Sequence, residues 1–170
     1  MDRLVAHGTV HRLGQRPLQL RRLDTRRIPL GDPVVVDLKY PVIALSGPTI
    51  FVRRDVEHLL TCGEAALTNG YFSGLRLIDS ELNEYSVLKV VKVGNVGLFG
   101  GWRPFYASRK IRVDLTLGIA RRVSLDHAKD SVIATMNQDR EFWESAGDLE
   151  DQAAEIRALD SFPDLVHRMA

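Results

Sequence analysis

The side chains that could do chemistry in this sequence are few, and their spacing decides what each could do. A zinc centre needs at least three clustered ligands. His7 and His11 stand four apart, but no third ligand lies near them and no zinc-protease signature surrounds them. His58, His127 and His167 fall one each on three predicted helices, where exposed positions account for them. No metal is expected. Nucleophilic catalysis would need Cys62, or a serine framed by glycines two residues to either side on a sharp turn. No serine has that frame, and Cys62 falls on the apolar side of a predicted helix, where it serves as core filler. Asp139, Glu141, Glu144 and Asp148 crowd one short stretch, and a pair of carboxylates held at fixed separation can act as general acid and base. A solvated acidic helix face explains the same residues with fewer conditions. The expectation is therefore no catalytic residue and no cofactor, and the balance is against an enzyme.

Two features are better suited to binding. Gly94, Gly97, Gly100 and Gly101 make a glycine-rich loop, 94–101, that could expose backbone amides to a phosphate. Phosphate-cradling loops lead from a strand into a helix, whereas this one joins two predicted strands. It continues into Trp102, Arg103, Phe105 and Tyr106, residue types that dominate interface hot spots because they combine contact area with a polar handle. The same rings could instead cover an open end of the core. The second feature is charge. From Ser124 to Ala170 there are eleven Asp or Glu against four Lys or Arg, while the other 123 residues hold nineteen basic and eleven acidic groups. The two ends can neutralise each other within the fold, or one can face a partner of opposite sign. The candidate partner-binding residues are Trp102, Arg103 and Tyr106 in the loop, and Asp139, Glu141, Glu144, Asp148 and Asp151 in the acidic tail.

The elements that must carry these residues can be read from pattern. Residues 1–30 hold seven arginines against Asp2 and Asp24, without a sustained apolar period, which predicts a basic arm that is poorly ordered or lies as a short strand or two on the domain. Aromatic interleaving is absent there, so nucleic acid is not the expected partner. After the turn signal Gly31-Asp32-Pro33, apolar runs at Val34–Val36, Pro41–Leu45 and Thr49–Val52 predict strands, with Pro41 limiting its run to an edge or a strand start. Asp55 caps a predicted helix over about 55–69 that Gly70 stops. Leu75 and Leu77, then Tyr85–Val93, predict a hairpin turning around Ser80–Asn83, and Ile111, Val113, Leu115 and Leu117 alternate as a half-buried strand.

From Ser124 the period becomes helical. Ser124, Asp148 and Ser161 stand as N-caps of successive amphipathic segments, Val123 is placed as a staple, and Phe142 and Trp143 sit side by side so that only one can point inward. Trp143 is the expected packing anchor. The fold class is then α+β, a mainly antiparallel sheet with one inserted helix and two or three C-terminal helices packed on or beside it. The domain spans 31–170, strand-rich over 31–120 and helical over 124–170.

Bulk composition agrees with one globular core. At 170 residues, with 45% hydrophobic and 26% charged residues, the chain can bury about 70% of its unfolded surface. Its longest uncharged stretch, Tyr40–Val52, is thirteen residues, short of the roughly 20 that a membrane helix needs. The opening residues lack an apolar segment of signal length, and one cysteine fits a reducing compartment, so a cytoplasmic location is expected.

Ser124–Ile133, Glu141-Phe-Trp-Glu-Ser-Ala-Gly-Asp148 and Ser161–Val166 together resemble the tail of small bacterial proteins encoded beside polymorphic or contact-dependent toxins as their immunity partners. The resemblance covers about 45 of the 170 residues. It implies a cytosolic protein that neutralises a cognate toxin by stoichiometric binding. Two other readings stay open: an interaction or assembly protein of another kind, and a small-ligand binder or enzyme using the loop 94–101.

Overall fold

The structure, a computed structural model, describes residues 37–96 and 109–170, all within the unit Asp32–Ala170. The basic arm at 1–30, the strand expected at Val34–Val36 and most of the glycine-rich loop lie outside the described residues. Directly after Pro41 the chain enters β1 (Val42–Ser46), turns at Gly47-Pro48 and returns as β2 (Thr49–Arg53). Ser46 pairs with Thr49, leaving a two-residue turn in which Gly47 holds φ +51°, a left-handed value that glycine reaches without a Cβ clash.

The helix expected over 55–69 is two short helices broken by a strand: α1 (Val56–Leu60), β3 (Thr61–Gly63) and α2 (Glu64–Thr68). Asp55 caps α1 as expected, accepting from the His58 amide at 2.8 Å. The break has a local cause and a tertiary one. β-branched Thr61 and Gly63 are weak helix formers, and Thr61, Cys62 and Gly63 pair with Arg112, Ile111 and Lys110 of a later strand, which outweighs the helical period of the leucines. Cys62 therefore lies on a strand and not mid-helix. Burial pushes its thiol above the ordinary cysteine value, with Arg53 acting in the opposite sense.

Next come β4 (Arg76–Ile78), β5 (Asn83–Asn95), β6 (Lys110–Leu117) and the two-residue β7 (Arg121–Arg122). Every pairing is antiparallel, and the order is β2-β1-β4-β5-β6-β3, with β7 beside the start of β5. The β4–β5 hairpin is organised by Asp79, which is fully buried. Its carboxylate accepts from the Asn83 amide at 2.8 Å, the Glu81 amide at 3.0 Å and Asn83 Nδ2 at 3.2 Å, so a charge hidden from water keeps three strong donors.

The helices α3 (Leu125–Met136), α4 (Arg140–Glu144), α5 (Leu149–Ala158) and α6 (Phe162–Met169) follow, with a 3-10 turn at Asn137–Asp139 between α3 and α4. Ser124, Asp148 and Ser161 cap α3, α5 and α6 as their positions predict. The α+β class read from the sequence holds. β1 is buried on both faces. Ile43 and Leu45 pack with Val132, Met136, Ile156 and Leu165 of the helices, while Val42 and Ala44 pack with Leu59, Leu75, Leu77 and Tyr85 on the other side. Each Val, Leu, Ile or Met side chain among them, taken out of water, contributes about 1.5–3 kcal/mol. Among the described residues no helix is long and apolar enough to cross a membrane.

Candidate protein-interaction surface

The acidic stretch folds into a corner between two helices. Asp139 caps α4, accepting from the Phe142 amide at 3.2 Å. Gly147, at φ +144°, reverses the chain, and Asp148 then caps α5 through the amides of Glu150 and Asp151 at 2.8 and 3.2 Å. A carboxylate at a helix start satisfies amides that the helix itself leaves open. The corner is tied from inside by Gln152, which is buried and donates from Nε2 to the carbonyls of Trp143 and Gly147 at 3.1 and 3.0 Å. Position and orientation of the corner are thus set by hydrogen bonds rather than by bulk packing alone.

Of the two adjacent rings on α4, Trp143 takes the inward place. It is half-buried against the helix–sheet core, and its Nε1 is buried with no hydrogen-bond partner among the described residues. Phe142 is turned outward, 63% exposed, and meets Trp143 edge-on with ring centroids 5.4 Å apart. Six exposed acids lie between Asp139 and Asp151, in the segments on either side of Phe142, with Arg140 the one base. Arg140 is bound to Glu144 at 3.0 Å and reaches Glu150 at 3.7 Å, both in solvent. Glu141 and Asp151 form no ion pair among the described residues. An exposed apolar ring in an acidic segment suits a partner that is apolar where it meets the ring and basic nearby.

A second polar cluster resembles a catalytic constellation and differs from one in geometry. Glu84, buried on β5, receives Arg76 Nη1 at 3.0 Å and Arg121 Nη2 at 2.5 Å. His127 Nε2 lies 3.4 Å from the same carboxylate, 3.1 Å from Arg121 Nη2 and 3.5 Å from Ser131 Oγ. A serine–histidine–acid triad uses both ring nitrogens, one for the nucleophile and one for the acid. Here one nitrogen faces all three groups, so the histidine cannot relay a proton from the serine while the carboxylate orients it. The cluster instead ties β7 and the start of α3 to the sheet. Burial works to raise the Glu84 carboxyl, but the hydrogen bond and charge of Arg121, then Arg76 and His127, hold it below the ordinary glutamate range.

The sequence-predicted site residues fare unequally. Trp102, Arg103 and Tyr106 lie outside the described residues, as do Gly97, Gly100, Gly101, His7 and His11, while Gly94 is on β5. Asp139, Glu141, Glu144, Asp148 and Asp151 come together on one corner, with Asp139 and Asp148 engaged as caps and Glu144 paired. Phe142 was not among the candidates. Its signal was present in the pairing of two rings on a five-residue helix, of which only one could face the core. Among the described residues no three His, Cys, Asp or Glu side chains converge as a metal site would need. No family model, no curated protein and no solved structure matches the chain.

Proposed function

We propose that this chain is a non-enzymatic protein-binding module that neutralises a cognate bacterial toxin by stoichiometric binding in the cytoplasm, as an immunity protein does. The observation that carries the reading is Phe142, an exposed ring fixed in an acidic corner whose backbone is held by two caps and Gln152. Burying that ring against a partner is worth about 1.5–3 kcal/mol, a factor of ten to about a hundred in affinity. The acidic segment favours a basic partner and speeds encounter with it. A nuclease, whose own site is positive for its substrate, has that character. The resemblance of Ser124–Ile133, Glu141–Asp148 and Ser161–Val166 to the tails of immunity partners supports the same direction, since it includes the corner itself.

The reading is tested by co-expressing the chain with the toxin domain encoded beside its gene. Cells making both are expected to survive, and the two proteins to purify as a one-to-one complex. Death of the cells with no complex recovered would overturn it. Phe142→Ala assigns contact to the corner if it speeds dissociation, and Trp102→Ala assigns it to the aromatic loop with Arg103 and Tyr106 by the same criterion.

A further inference from the structure

The described residues leave a second apolar surface uncovered, on the ribbon formed by β5 and β6. On β6 the side chains alternate: Ile111 and Val113 are buried and Leu115 half-buried, while Arg112, Asp114 and Thr116 are exposed on the opposite face. Val91 of β5 lies opposite Asp114, and Lys89 opposite Thr116, which places both on that outer face. Val87, opposite Leu117, faces the inner cluster, so Leu88 after it points outward, and the register shift between Val87 and Lys89 keeps Lys89 on the same outer face. Leu88 and Val93 are 67% and 64% exposed, and Val91 is 46% exposed. The later helices pack over β1 and β2, and α1 packs on β6 from the side of Leu115 and Leu117, so the opposite face of β5 and β6 is left uncovered among the described residues. Its rim is basic: Lys89, Lys110 and Arg112 stand exposed there, with Asp114 the one acid.

We propose that this face docks a second copy of the chain, which inserts its Phe142 corner among Leu88, Val91 and Val93. The two surfaces are opposite in kind. One is aliphatic with a basic rim, and the other is a single aromatic ring in an acidic segment, so each supplies the charge and the apolar surface that the other lacks. The contact is heterologous, one patch of a copy meeting a different patch of the next, and such contacts extend into chains unless the rotation closes a ring. No toxin is needed for it. The same corner cannot hold a toxin and a second copy together, so self-association holds the proposed binding site in reserve.

Analytical ultracentrifugation of the full chain from about 1 μM to about 1 mM, the range of weak contacts, tests the contact. The expected result is a mass that rises with concentration past a dimer, with association about tenfold weaker when salt is raised from about 50 to about 500 mM. Leu88→Glu combined with Val93→Glu, and separately Phe142→Lys, should each leave a single-chain mass. Mixed in equal amounts they should form one-to-one dimers and nothing larger, because each pair retains one matched contact. A single-chain mass for wild type throughout, association indifferent to salt, or a mixture that stays monomeric would each overturn the proposal. All of these readouts use the chain alone, so their failure leaves the toxin co-expression result untouched.

Discussion

Strand β5 passes through two environments, and the contrast separates what holds this fold from what it presents. At its start, Glu84 and Tyr85 are buried, the first under the α3 end of the helical layer and the second in the inner cluster with Leu77 and Val42. Toward its end, Leu88, Lys89, Val91, Lys92 and Val93 are all exposed. The strand pairs along both stretches, so hydrogen bonding does not distinguish them. Coverage does. Where helices lie on the sheet, side chains contribute transfer free energy and packing, and where they do not, the same residue types remain a surface available to another molecule.

The largest effect that sharpens this contrast is expected in the covered half. Leu165, fully buried between α6 and the sheet, should lose about 2–5 kcal/mol on Leu165→Ala, whereas Val93→Ala on the bare ribbon should change stability by less than about 0.5 kcal/mol. Chemical denaturation of both variants measures the difference, and equal losses would erase the distinction.

A smaller effect is expected at the polar seam. Glu84→Gln removes the charge that Arg76, Arg121 and His127 share, at a cost of about 1.5–3 kcal/mol. Its pH dependence has a definite sign. Because the folded carboxyl titrates below its ordinary value near 4.5, its stabilisation is present above that pH and fades as pH falls through the folded value. Stability measured from pH 6 down to about pH 3 should therefore fall less steeply for Glu84→Gln than for wild type. A steeper acid-side fall for the variant would contradict the account.

The smallest effect concerns Trp143. Trp143→Phe keeps a ring against the core and removes a buried N–H that has no partner among the described residues, so a loss under about 1 kcal/mol is expected in thermal unfolding. A loss of several kcal/mol would mean that Nε1 is bonded in solution.

Much of the frame was legible in the residues because its signals are local. Asp55, Ser124, Asp148 and Ser161 cap the helices that their positions predict, since a cap needs only its own side chain and amides two or three residues on. The hairpin turning through Ser80–Asn83 and the alternation of Ile111 to Leu117 were also readable. The break at Thr61–Gly63 was not, because it is decided by Lys110–Arg112, about fifty residues away in sequence, and a helical period carries no record of a distant strand. At the candidate surface the acids were legible as a cluster. Which of them would be engaged as caps, and which of Phe142 and Trp143 would face water, depended on how α4 and α5 pack. Pattern tells which face is apolar, and tertiary structure tells whether anything covers it.

The central claim, that the α4–α5 corner binds a basic protein partner, is tested most directly by titrating the purified chain with the toxin domain encoded beside its gene and measuring association and dissociation rates against salt. The account predicts one-to-one binding, association that slows as salt rises, dissociation about ten- to a hundredfold faster for Phe142→Ala, and slower, less salt-sensitive association for Glu141→Lys with Asp151→Lys. Tight binding that none of these substitutions changes would place the contact elsewhere on the molecule, and the absence of binding would contradict the account outright.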